Sequence, residues 1–279
     1  MELNLILAAF GGGVLGAFMG GLPAFILCGI VGFAGFAMGG DMDILGAVAF
    51  GPFLGPHIVF GGGGVAAAAY AKSIGVMPEG TDILTPLAKF QNPKIYLVGG
   101  VAGILAHLFQ YLYGTVLALP LDTVALSVVT MGILVRLTIG KTGITGTCPI
   151  DGKHARPFFP EKDTIPNLLL SGFAIGLLSS YYAVEYNAVT LGFCVSAASL
   201  MFTQMGFPLP STHHITLSAA YAAAATGSVL VGGIFGLIAA IIGDFSNKTF
   251  NSYCDSHMDP PAMTISILSL ISFTLLALI

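Results

Sequence analysis

The residues most able to do chemistry fall in two proline-bearing breaks and one polar cluster. The first break reads PFLGPHIVFGGGG, with Pro52, Pro56, His57 and Gly61 to Gly64. The second reads PLPSTHHI, with Pro208, Pro210, Ser211, Thr212, His213 and His214. Proline cannot continue a helix interior, because it lacks an amide hydrogen and clashes with the preceding turn. Ser211 and Thr212 suit the N-cap of a following helix. A helix that opens at membrane depth presents free amide donors and a partial positive charge. Two such openings suit an anionic or hydrogen-bonding solute, and Gly61 and Gly62 would let a backbone or ligand come close. Pro56, His57, Gly61, Gly62, Ser211, Thr212, His213 and His214 are therefore the expected substrate-binding residues. The plainer reading makes both breaks ordinary turns at the membrane surface, with the imidazoles at headgroup level.

The polar cluster is NSYCDSHMDPPA, carrying Asp255, His257 and Asp259 ahead of Pro260 and Pro261. Imidazole and carboxylate at this density suit a proton relay or a cation. Read plainly, it is a solvated loop with Asp259 capping the last helix. Asp41 and Asp43 interrupt an apolar run, and carboxylates within a membrane are costly and functional by default. Asp122 is placed to cap a helix, and His107 lies within an apolar segment, where a neutral hydrogen-bonded core histidine is the simpler reading. Asp41, Asp43, Asp122, His107, Asp255, His257 and Asp259 are the expected ion- or proton-coupling set. A metal site is left undefined, since the spacing is not diagnostic.

These groups must be positioned by apolar helices. The chain is 56% hydrophobic and 8% charged, with mean hydropathy +0.92. Soluble domains carry about 25% charged residues, so lipid must supply much of the solvent. A bilayer span needs about 20 apolar residues. Apolar segments run over 4–20, 23–40, 44–71, 95–116, 121–139, 165–183, 187–204, 211–226, 228–243 and 261–279, which predicts an all-α polytopic membrane protein of about ten helices. The N-terminal stretch has no positive region before its apolar run and reads as a first span, not a signal peptide.

All nine Lys and Arg lie in three connections: Lys72, Lys89 and Lys94; Arg136, Lys141, Lys153, Arg156 and Lys162; and Lys248. The positive-inside rule then puts these connections in the cytoplasm and both termini outside. A location in the cell membrane follows. The four cysteines show no paired spacing, and no basic–aromatic patch points to nucleic acid.

The chain also resembles itself. Pro52 and His57 match Pro208 and His213 at a constant offset, as do the alanine runs 66–69 and 222–225. Leu97-Val98-Gly99-Gly100 matches Leu230-Val231-Gly232-Gly233, and Asp122-x-x-Ala125 matches Asp259-x-x-Ala262. These matches predict a first membrane repeat over 1–140, a cytoplasmic connector over 141–163 and a second repeat over 164–279. Five helices per repeat would invert the second relative to the first, an arrangement that recurs in secondary transporters.

The expected function is therefore a secondary transporter or permease for a small solute or ion, coupled to protons or sodium through the His and Asp groups. The expected partners are that solute and the bilayer, with a homo-oligomer admitted. No enzymatic activity and no cofactor are expected. The alternatives are a divalent-metal transporter or channel using the His/Asp cluster, and a membrane-embedded metal-dependent enzyme.

Overall fold

The structure is a computed structural model that describes residues 2–39, 43–151 and 153–278. It is all-helical: no strand occurs among the described residues. Helix α1 (Leu3–Met19) ends at Gly20, whose φ of +89° lies in the left-handed region. Glycine tolerates that conformation, and α2 (Gly21–Ala37) restarts at once, bent by 119° from α1. A π-helical stretch over Asp43–Ala49 follows. The chain is then irregular until a π-helix over His57–Gly64 runs straight into α3 (Val65–Ser73). The prolines thus interrupt the apolar segment 44–71, and its second part opens at His57.

Next comes α4 (Pro93–Tyr111), capped by the Asn92 side chain on Lys94 N–H at 3.0 Å, with Pro93 in its first turn. The other long elements are α5 (Thr123–Thr138), α6 (Ile165–Glu185), α7 (Leu191–Ser199) with the short α8 (Met201–Gln204), α9 (His213–Thr226), α10 (Val229–Phe250) and α11 (Pro260–Thr274). Asp122 caps α5 through Ala125 N–H at 2.8 Å, and Asp259 caps α11 through Ala262 N–H at 2.8 Å. Two positions with the same Asp-x-x-Ala spacing thus perform the same local task.

Among the described residues, four helices are long and apolar enough to cross a membrane: Pro93–Val116, Ile165–Glu185, Val229–Phe250 and Pro260–Leu278. The bent α1–α2 pair makes a fifth if taken as one span. The remaining apolar segments form shorter helices. At 1.5 Å per residue the 16 residues of α5 reach roughly 24 Å, short of a hydrocarbon core of about 30 Å.

Small residues determine which helices touch. In the first half, α1 packs on α4 and on the His57–Gly64 helix, and those two pack on each other. The approach is backbone to backbone: a Cβ on Gly13 would meet Gly99 and Gly103, and one on Gly62 would meet Ala102 and Gly103. In the second half, α6 packs on α10 and on α9, which also touch each other. There Gly172 and Gly176 lie against Gly236, and Gly232 lies against Ser180 and Ala219. Close backbone approach of this kind drives helix association where no hydrophobic effect operates between helices. Away from these seams the long helices turn large apolar side chains outward, as Leu97, Leu170, Leu178 and Leu230 do. The halves meet where α2 packs on α7 and α5 on α11.

The three connections that carry the basic residues meet in space. Arg136, at the end of α5, is 1% exposed. It donates to Ser256 Oγ at 2.6 Å and to the carbonyls of Ile144, Phe250 and Ser256 at 2.8, 3.0 and 2.6 Å. Arg156 in the connector donates to Thr249 O at 2.7 Å. A small polar hollow of about 350 Å³ joins Lys72 and Glu79 of one connection to Asn251 and Asp255 of another.

Candidate functional site

The junction of the halves encloses a cavity of about 810 Å³. Its walls come from α2, the His57–Gly64 helix and α5 on one side, and from α6, α7, α9, α10 and the start of α11 on the other. The lining is largely apolar with a few polar groups, the usual composition of a small-molecule site.

Of the expected binding residues, Pro56, Ser211, Thr212, His213 and His214 line this cavity. His57, Gly61 and Gly62 do not. The His57 ring folds back over Gly55, and Gly61 and Gly62 pack against Val128 and the α4 backbone, so those glycines serve helix contact. Thr212 stands at the N-cap of α9, but its hydroxyl does not cap the helix: it bonds Ser196 Oγ at 2.6 Å. The expectation that Ser211 and Thr212 cap α9 is corrected accordingly, because a neighbouring hydroxyl on α7 competes for the side chain. The opening of α9 carries no side-chain cap, and the first amides of a helix have no intrahelical partner.

His213 sits among rings, with centroids 4.7 Å from Phe25 and 5.6 Å from Phe193. His214 packs against Gly243 of α10. Both imidazoles are more than nine-tenths buried, and Nδ1 of each has no hydrogen-bond partner. His257 turns edge-on to Phe60 at 5.7 Å, and its Nε2 lies 3.5 Å from Asp259 Oδ1.

Of the expected coupling residues, Asp122, His257 and Asp259 line the cavity. Asp122 accepts a 2.7 Å hydrogen bond from the Tyr221 hydroxyl across the junction, and its amide donates to Ser269 Oγ at 2.8 Å. Asp255 lies elsewhere, accepting from Lys141 N–H at 2.6 Å and Thr142 Oγ1 at 2.8 Å, where it ties the connector to the last loop. His107 is buried within α4 and does not reach the cavity. Asp41 lies outside the described residues, and so does the side chain of Asp43.

Beside Asp255, the Cys254 thiol lies 3.0 Å from Arg136 Nη1. Burial nonetheless raises its pKa above the ordinary thiol value, outweighing the nearby guanidinium groups that lower it. On the connector, Asp151 is held below the usual carboxylate range by the amides of Lys153 and His154 and by the His154 ring.

Sequence reasoning missed Tyr221 and the aromatic box around His213. Tyr221 stands two turns beyond His214, so helical spacing alone would have placed it on the same face. Asp244 and Asn247 on α10 also line the cavity, with Asp244 held by Lys248 Nζ at 2.8 and 2.6 Å. Among the described residues no group of three or more His, Cys, Asp or Glu side chains is arranged to hold a metal ion.

No curated protein and no solved structure matches the chain. A single family model matches it in two stretches, residues 1–158 and 145–279. The chain belongs to that family of unknown function, DUF7973.

Proposed function

We propose that this protein is a multi-pass membrane transporter for a small solute, with the cavity between its halves as the substrate site. The observation that carries this reading is the cavity itself. It is large enough for a small organic molecule, mostly apolar, and supplied with His213, His214, Asp122 and Asp259 from elements of both halves.

On this reading the chain is two inverted five-helix repeats, with ten membrane-embedded segments and both termini outside. Three things support it. The glycine-seamed trio of α1, α4 and the His57 helix has a counterpart in α6, α10 and α9. The family model matches in two overlapping stretches, one over each half. The connections bearing Lys and Arg gather on one side, as a cytoplasmic face requires. Segments shorter than a full span are accommodated where they surround a cavity inside the protein. Relative movement of the two trios, taken up at the α2–α7 and α5–α11 contacts, would open the cavity alternately to either face. Among the described residues, no three-ligand group supports a divalent-metal carrier or a metal-dependent enzyme.

The test is a thermal-shift screen of small charged and polar solutes on purified protein, followed by counterflow in proteoliposomes. A true ligand at 100 times its Kd stabilises by about 2.7 kcal/mol. It should stabilise wild type and His57→Ala but not His213→Ala, since only the second ring lines the cavity. A ligand whose effect survives His213→Ala and drives no counterflow would sink the assignment. Flux that ignores an imposed ion gradient and saturates at no concentration would indicate a channel instead.

A further inference from the structure

The charges lining the cavity are unbalanced, and the imbalance selects a class of solute. Among the described residues, three carboxylates reach it, from Asp122, Asp244 and Asp259, while no Lys or Arg side chain is part of the lining. Asp244 is neutralised by Lys248, bound through both oxygens. Asp259 has His257 as a neighbour. Asp122 differs from both. Its Oδ1 accepts from the Ala125 amide and its Oδ2 from the Tyr221 hydroxyl, and both donors are neutral. A carboxylate using both oxygens as acceptors is suited to its ionised form. A charge in low-dielectric surroundings without an opposite partner is costly. The partial positive charges at the start of α5, which Asp122 itself caps, and at the uncapped start of α9 ease that cost but supply no counter-ion.

The surroundings of Asp122 suit a cation with an apolar body. Tyr221 packs edge-on against Phe273 at 4.8 Å, and both rings line the cavity with Val128 and Ile265. Aromatic faces attract ammonium groups, more strongly where water is excluded. A bare metal ion would need several oxygen, nitrogen or sulfur ligands in one place, and no such group of side chains exists among the described residues.

Resting on the reading of the cavity as the substrate site, we propose that the transported solute is an organic ammonium ion. Its charged nitrogen sits against the Asp122 carboxylate and its apolar body lies along the Tyr221–Phe273 pair. This reverses the anionic solute that the two proline-bearing helix openings suggested, since His57 is turned away and, of those two openings, only that of α9 brings imidazoles to the cavity.

The test uses the full chain in detergent and two matched series of probes: primary ammonium ions from ethylammonium to phenethylammonium, and carboxylates from propionate to 3-phenylpropionate. The ammonium series should raise the melting temperature, increasingly with the size of the apolar body, and the carboxylates should not. Asp122→Asn keeps a residue that caps helices as well as Asp does but removes the charge, and it should weaken ammonium binding about tenfold or more. His57→Ala, whose ring lies outside the cavity, should retain ammonium binding. Ammonium binding unchanged in Asp122→Asn overturns the proposal. Carboxylate binding that is lost in His213→Ala also overturns it, but leaves the cavity standing as the substrate site. If neither series binds, the ammonium proposal falls, and the cavity as substrate site is decided by the wider solute screen. Should Asp122→Asn not fold, the preference of wild type and His57→Ala for ammonium over carboxylate still decides the sign of the charge.

Discussion

Arg136 makes its hydrogen bonds almost entirely to backbone carbonyls and a serine, while being as buried as any core residue. The planar fork of a guanidinium can serve several acceptors at fixed angles, which the single point charge of lysine cannot. Removing it strands those carbonyls without partners, at about 1–3 kcal/mol for each one left unsatisfied. Arg136→Ala should therefore lower unfolding stability by roughly 3 kcal/mol, and Arg136→Lys should recover only part of that loss. A denaturation midpoint within error of wild type would show that water fills the gap. Gly243 tests a different residue-scale point. A methyl group there would strike the His214 ring, so Gly243→Ala should abolish ligand-induced stabilisation while changing the unliganded melting temperature little.

At the scale of elements, the glycine seams decide which helices become neighbours. Gly13 and Gly236 occupy comparable seams, each pressed against glycine backbone of the facing helix. Valine at either position must push two helices apart, an overpacking cost of about 1–3 kcal/mol. Gly13→Val and Gly236→Val should each lower thermal stability by a similar amount, read as melting temperature in the same detergent. A large loss in one and none in the other would argue against equivalent seams. The two helix openings are less alike. His57 begins a π-helix whose glycines are absorbed in packing, whereas α9 starts with two imidazoles on the cavity. Matching sequence positions thus lead to one element absorbed in packing and one that faces the cavity.

For the whole molecule, orientation in the bilayer is the property most open to direct measurement. Cys148 lies in the connector and is partly exposed, while Cys28 and Cys194 are buried. With the basic connections in the cytoplasm, a membrane-impermeant maleimide should label the native protein only after cells are permeabilised. Labelling of intact cells at Cys148 would reverse the topology.

Much of this architecture can be read from composition and spacing. Low charge and long apolar runs predict helices in lipid, because neither water nor an open sheet edge could satisfy such a chain. The caps at Asp122 and Asp259 are legible because capping is local, fixed by the three residues that follow. Proline breaks at 52–56 and 208–210 are legible for the same reason. What faces the cavity is not local. Whether His57 or His213 reaches it depends on how α2, α7 and α5 pack around each, and one-dimensional spacing does not contain that. Arg136 was counted as a loop charge, since nothing in sequence shows that the carbonyls of residues 144, 250 and 256 converge on it. Tyr221 reaches Asp122 across 99 positions of chain. Local physics could settle each helix alone, whereas the charge and shape of the space between them arise only when both halves are assembled.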